Sequence, residues 1–344
     1  MKATLLCLFG LFSGITFSQL GGTTAFPFLN LPYNARSAGL GNDFITGSGG
    51  DINMGVLNPS LLNSEMHHKV SVNQSLLAGG VNFGMFNYGF GLAEGTMAGY
   101  IKYVSYGQFE RTAVNGVSEG TFSPFEMIAG AGYGKALNPR ISVGANANII
   151  YSQLESYSSI GASIDLAGTF ENKDKGVLVT ALVKNFGYQF NAYTAATNRA
   201  NLPVEFQIAA GYKLAHAPFR ITVLAHHLNK WDITYNDPNL KPTIDPLTGD
   251  SIPVDRPGFG EKLAQHFTYQ VEALFTKNLH FRAAFDYHLR KQLALEKRPG
   301  VSGVSLGVGL NFTKFSLDYG FTIYSRAGFN NILTLSSDLT QWRK

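Results

Sequence analysis

Three things are scarce in this chain of 344 residues: cysteine, charge and long apolar runs. The single cysteine, Cys7, lies near the start. A chain trimmed of that start has no disulfide framework, no cysteine metal site and no cysteine nucleophile. Charged residues make up only 15%, against about 25% in ordinary soluble domains. The formal net charge of +4 is spread along the chain. No Lys/Arg run points to nucleic acid. No later stretch reaches the ~18 uninterrupted apolar residues of a membrane-spanning helix. An exported chain without such helices is either soluble or a β-barrel.

Export is read from the first eighteen residues. Met1-Lys2 is a short basic region, Leu5 to Phe12 an apolar one, and Thr16-Phe17-Ser18 puts small residues before a cut at Gln19. This is the form of a secretory signal peptide over 1–18, too short to span a bilayer.

Abundant instead are glycine (38), phenylalanine (26) and tyrosine (16). From about His67 the apolar residues recur with period two. Leu279, Phe281, Ala283, Phe285, Tyr287 and Leu289 share one strand face, and His280, Arg282, Asp286, His288 and Arg290 lie on the other. Ile141 to Tyr151, Val304 to Phe312 and Phe315 to Ile323 behave alike. The rule marks fourteen strands near 67–77, 80–93, 96–111, 121–137, 141–156, 159–172, 176–190, 203–216, 219–232, 263–277, 279–293, 303–314, 315–326 and 329–340. Many are long enough to cross a tilted bilayer path. Connections after every second strand are tight, such as Glu94-Gly95 and Ala217-Pro218. Several of the others are long. Short turns at one end and long loops at the other are the polarity of an outer-membrane barrel, with both barrel termini on the short-turn side. The expected fold is all-β: a 14-stranded antiparallel transmembrane barrel over 66–344. Trp231, Tyr269, Tyr319 and Trp342 are candidates for its aromatic girdles.

Residues 19–65 are rich in glycine and asparagine and do not alternate. They are expected to form a hatch inside or bracing the barrel, held by Phe26, Phe28, Leu29, Leu31, Arg36, Asn58 and Pro59. The largest loop, 236–261, is dense in proline and aspartate, which excludes a paired strand through most of it. Asp237, Asp245, Asp250, Asp255 and Arg256 are its candidates for binding a partner.

Signs of chemistry are weak. The glycines at 39, 41, 47, 49 and 50 lack the Gly-Lys-Ser/Thr ending of a phosphate loop. His67-His68 and His226-His227 are adjacent pairs. On a strand their side chains face opposite ways, so neither pair chelates by itself. No Gly-x-Ser-x-Gly elbow is present. We expect no enzyme activity, no catalytic residue, no cofactor and no metal.

The stretches Phe26-Pro27-Phe28-Leu29-Asn30-Leu31-Pro32-Tyr33-Asn34-Ala35-Arg36-Ser37-Ala38-Gly39-Leu40-Gly41 and Asn58-Pro59-Ser60-Leu61-Leu62 resemble the PorQ family of type IX secretion-system proteins. So do Tyr106-Gly107-Gln108-Phe109-Glu110-Arg111-Thr112, Tyr151-Ser152-Gln153-Leu154-Glu155-Ser156-Tyr157, His216-Ala217-Pro218-Phe219-Arg220 and His226-His227-Leu228-Asn229-Lys230-Trp231-Asp232. The Asn-Pro-Ser/Ala-x-Leu box is shared with the wider FadL-like superfamily. The resemblance implies a FadL-like barrel in the outer membrane of a Gram-negative bacterium. It also implies a non-enzymatic place in the type IX attachment complex, anchoring a surface-exposed PorZ-like subunit. Its further partners there are the sortase that attaches cargo to lipopolysaccharide and a PorV-like barrel. The competing expectation is a FadL-like channel for hydrophobic solutes, which requires an apolar lumen beside a movable hatch.

Overall fold

The fold was analysed in a computed structural model. It describes residues 24–77, 80–194, 198–234, 242–244, 247, 251–252, 256–293, 300–324 and 328–342. The leader expected at 1–18 lies outside these residues.

Fourteen strands close into one antiparallel barrel. They are β1 (Lys69–Leu76), β2 (Asn82–Leu92), β3 (Gly95–Ser105), β6 (Phe125–Asn138), β7 (Ile141–Leu154), β8 (Tyr157–Asn172), β9 (Val177–Gln189), β10 (Glu205–Lys213), β11 (Phe219–Ala225), β14 (Phe267–Ala273), β15 (Leu279–Asp286), β16 (Val304–Asn311), β17 (Phe315–Ile323) and β18 (Phe329–Asp338). Neighbours in sequence pair in order, and β1 closes on β18 from Lys69↔Asp338 to Ser75↔Ile332. Two small hairpins stand apart from the barrel sheet: β4 (Phe109–Thr112) with β5 (Ser118–Phe122), and β12 (Thr243–Ile244) with β13 (Ser251–Ile252).

The alternation that defines the strands is inside out relative to a soluble protein. Ile149, Leu166, Ile208, Phe281, Leu306 and Leu333 are all exposed. Asn148, Thr169, Thr180, Gln207, Thr222, Gln270 and Thr334 face inward and are buried. A continuous apolar outer belt far exceeds the patches that soluble monomers tolerate and is the surface that lipid covers. Aromatic residues gather at both ends of the strands. Phe312 and Phe315 stack at 4.6 Å beside the 312–314 turn, and Tyr188 and Phe190 meet edge to face at the opposite end. Ile149, 65% exposed and well inside β7, gives a test. Ile149→Lys is expected to cost about 2–4 kcal/mol in liposome unfolding, and Ile141→Lys at the strand end about 0–1 kcal/mol. Equal costs at the two depths would argue against lipid around this belt.

The short connections 93–94, 139–140, 173–176, 214–218, 274–278 and 312–314 lie at one end, and the segments 106–124, 190–204, 226–266 and 287–303 at the other. The loop polarity read from the sequence is therefore present, but several strands end earlier than the period suggests. The strand expected over 279–293 stops at Asp286, whose carboxylate accepts the backbone N–H of Leu289 at 2.9 Å. Helix α4 (Tyr287–Leu293) follows. His288 and Arg290 thus lie on a helix rather than on the strand face assigned to them. Helix α3 (Phe259–Ala264) likewise takes the start of the strand expected at 263. The strand expected to run to 232 ends at Ala225.

Residues 24–66 run inside the barrel. Short helices α1 (Ala35–Ala38) and α2 (Ile52–Leu57) are capped by Asn34, which accepts from the Ser37 N–H at 2.8 Å, and by Asp51, which accepts from the Asn53 N–H at 3.1 Å. Asn53 reaches strands on both sides of the closing seam. Its amide oxygen accepts from Asn73 on β1 and Asn87 on β2, and its amide nitrogen lies 3.5 Å from the Ser336 hydroxyl on β18. Thr24 forms a parallel bridge with Asn201 in the 190–204 segment. The start of the described hatch is therefore at the long-loop end, although both barrel termini are at the short-turn end.

Candidate functional site

The hatch is seated first by apolar contacts. Phe26 is fully buried and meets Phe28 edge to face, with ring centroids 6.2 Å apart. The hydroxyl of Tyr33 donates to the Phe28 carbonyl at 3.0 Å, and its ring packs on Phe83 of β2. Leu29 and Leu31 are half-buried against this cluster.

The Asn-Pro-Ser box docks by close backbone approach. The Asn58 carboxamide accepts from Ser60 N–H at 3.1 Å and Ser60 Oγ at 2.6 Å, and donates to the Ile45 carbonyl at 2.8 Å. Ser60 Oγ lies 2.7 Å from Thr169 Oγ1 on β8. The Pro59 backbone lies flat on the wall at Gly144, where a Cβ would meet the Pro59 carbonyl carbon at 2.3 Å. The glycines at 39 and 41 are likewise turn and contact positions. Gly39 touches Gly307 backbone to backbone, and Gly41 has φ +85° beside Thr268. Neither opens an α-helix of the phosphate-loop kind.

Arg36 is the electrostatic centre. Its Nε and Nη2 donate to both carboxylate oxygens of Glu272 on β14 at 2.9 and 3.0 Å, and Nη1 donates to Asp51 at 3.2 Å. The guanidinium stands 5.0 Å from the Phe44 ring centroid. Glu272 also receives Arg220 of β11 at 2.9 Å and Arg282 of β15 at 3.4 Å, and Arg282 pairs with Asp318 of β17. Three arginines thus face three carboxylates. The bidentate fork gives direction as well as charge balance. A second group joins hatch and wall: Lys184 of β9 lies 3.0 Å from Asp43 and 3.2 Å from Glu205 of β10. One cavity beside the hatch, among the described residues, is about 40 Å³ and is lined among others by Leu29, Asp43, Lys102, Asp165 and Lys184. It has room for a few waters, not for the drug-sized ligands held by pockets of about 300–1,000 Å³.

The sequence reading missed Asp43, Lys184, Glu205 and Glu272. A signal was available for Glu272, because Thr268, Gln270 and Glu272 are the polar face of an alternating strand. Of the loop candidates, Arg256 is exposed ahead of α3. Asp237, Asp245, Asp250 and Asp255 lie outside the described residues.

The outer rim corrects the reading of His226-His227. Opposite facing holds only while the strand continues. β11 ends at Ala225, and His227 takes a left-handed φ of 55°. The two Nδ1 atoms then stand 2.7 Å apart. Glu205 Oε1 lies 3.4 Å from His227 Nδ1. The His288 ring is 5.9 and 5.5 Å from those of His226 and His227. His266 is engaged elsewhere, facing the carbonyls of His226 and Trp231 at 2.9 and 3.1 Å. Burial pushes His226 down to about 3 and His288 down to about 4, and lowers His227 as well. These three rings are neutral near pH 7. The opposite facing expected of His67-His68 fails in the same way: the pair precedes β1, His68 has a left-handed φ of 57°, and the two ring centroids lie 3.8 Å apart, with His67 Nδ1 accepting from Gly91 N–H at 2.8 Å and His68 Nδ1 meeting the Tyr88 hydroxyl.

No protein-family model matches the chain, and no curated protein matches it in sequence. Solved structures do match in shape. The toluene transporter TodX of Pseudomonas putida superposes with a TM-score of 0.55 at 10% identity, over 90% of this chain and 98% of that one. The toluene transporter TbuX of Ralstonia pickettii gives 0.51 at 10% identity, over 90% and 99%. The chain has their fold. The closed 14-stranded antiparallel barrel expected from the sequence is the fold found.

Proposed function

We propose that this chain is a non-enzymatic scaffold of a Gram-negative outer membrane, exported by its leader, with a filled lumen and a long-loop face that holds a protein partner. The observation that carries this reading is the plug. Arg36 is clamped by Glu272 and Asp51 within a charge-balanced cluster reaching β11, β14, β15 and β17. A hatch held this way is a permanent part of the wall, because removing it strands buried charges. The long-loop end carries the larger connections, with the β4–β5 hairpin, α3 and α4 among them.

The PorQ-like sequence stretches supply the role. In this reading the barrel anchors a PorZ-like surface subunit of a type IX attachment complex, beside a sortase and a PorV-like barrel that serve cargo attachment to lipopolysaccharide. The test is an affinity pull-down from outer membranes of the host with protein identification. A large surface subunit is expected, and deleting 236–261 is expected to reduce its recovery at least tenfold while the barrel stays inserted. Unchanged recovery would exclude this loop as the docking surface. A channel for hydrophobic solutes is the second reading, favoured by the likeness in fold to two toluene transporters. Recovery of bound hydrocarbon or fatty acid, with no protein partner, would select it.

A further inference from the structure

The outer rim holds a cluster that neither scaffold nor channel requires. Among the described residues, Glu205, His226 and His227 bring one ligand atom each to within 4.8 Å of one another. Glu205 opens β10, and the two histidines follow the end of β11. The backbone turn at His227 gives two adjacent residues rings that face each other, which an extended strand forbids.

A structural histidine normally has both ring nitrogens engaged. Here the Nδ1 of His226 faces the Nδ1 of His227 at 2.7 Å, a contact that a shared ion can replace, and the Nε2 of His226, on the far side of its ring, is buried with no hydrogen-bond partner. Glu205 and His226 are 2% and 4% exposed. The carboxylate is shared with Lys184, but Asp43 also neutralises that lysine, so the group keeps anionic character. Lys230, on the turn after the pair, is half-exposed. Two imidazoles and one carboxylate are a donor set for zinc, and leave a fourth position open. Zinc holds imidazole nitrogens at about 2.0–2.1 Å, which puts two of them about 3.3 Å apart in a tetrahedral shell. The observed pair, 2.7 Å apart, would open by about 0.6 Å.

We propose that Glu205, His226 and His227 bind a divalent transition-metal ion of the zinc class at the long-loop rim. The ion ties the start of β10 to the end of β11, where the regular ladder stops at Ile208↔Ala225 and one further backbone bond, Leu228 N–H to the Phe206 carbonyl at 3.1 Å, follows. The site flanks the 226–266 segment and fixes its point of departure from the barrel. It does not depend on which partner that segment meets.

The experiment uses the full-length mature protein in detergent, stripped with chelator and titrated with ZnCl2 by calorimetry and with CoCl2 by absorbance. One zinc per chain is expected, with visible cobalt d–d bands of the intensity of a four-coordinate site. His226→Ala and His227→Ala are expected to weaken zinc at least 100-fold, and Glu205→Gln at least tenfold. His216→Ala, at an exposed position away from the cluster, is expected to change nothing. Heat-modifiable migration on gels confirms that each variant is a folded barrel. His227→Gln serves if the alanine variant does not fold. Zinc binding that survives His226→Ala and His227→Ala, or native binding no tighter than that of these variants, overturns the site.

Discussion

Replacing Glu272 by alanine unseats the hatch. This carboxylate is 2% exposed and receives Arg36, Arg220 and Arg282. Its removal leaves the three guanidinium groups with ion pairs to Asp51 and Asp318 alone among the described residues, and with Glu171 acting on Arg220 from further off. Breaking a buried ion pair by deleting one partner costs about 3–5 kcal/mol, because the remaining charge is desolvated and unpaired. Water entering the lumen is the cheapest relief, and it enters by displacing residues 24–66. Two readouts follow. The heat-modifiability midpoint should fall by many degrees, and planar bilayers should show ion-conducting steps that the native barrel lacks. The exposed pair Lys135–Glu94 makes the contrast. Its loss should be indistinguishable from the native protein, since surface pairs contribute little. A Glu272→Ala barrel that melts at the native temperature and stays closed would show that charge balance does not hold the plug.

The second large effect is steric. Gly144→Val places two methyl groups where the Pro59 backbone already stands, with the first carbon only 2.3 Å from it. Both atoms that would clash are held, one by the barrel ladder and one by the Asn58 network. The hatch turn at 58–61 must lift away, exposing 24–66 to added protease on the short-turn side. Cleavage is expected to speed up at least tenfold. Gly168→Ala on β8, with open space around the new carbon, is the matched control. Should Gly144→Val fail to assemble, the same change in a chain lacking 24–66 resolves the cause. There it should be silent. A variant that harms the hatchless barrel equally would place the defect in the strand itself.

The barrel was legible because lipid and lumen impose opposite requirements on neighbouring residues, as Ile149 and Asn148 illustrate. That constraint ends with the bilayer, and so did the accuracy of the strand ends. Beyond Asp286 the pattern Tyr287, His288, Leu289, Arg290 still alternates, yet the carboxylate of Asp286 caps a helix. A cap residue followed by seven helix-compatible residues was a readable signal that competed with the period and won. His226 and His227 failed for the same reason. Their opposite facing presumes a strand that has already stopped. Arg36 could be singled out by chemistry alone, as the one cation deep in an apolar, glycine-rich segment. Its partner could not, because Glu272 is 236 residues away and only the closed register brings the two together.

The hatch also bears on how such a sheet comes to be closed. The pairing of β1 with β18 joins residues 69–75 to residues 332–338. It is the most distant strand pairing among the described residues, and loop-closure entropy is charged against it in full when the rest of the sheet is open. Residues 24–66 change that arithmetic. Ala35 donates its N–H to Thr334 on β18, while Asn53 holds Asn73 on β1 and reaches Ser336 on β18. With the hatch seated, the two free edges are tethered to one small body and meet at a high effective concentration. The stopper of the barrel is thus also a clasp across its last seam.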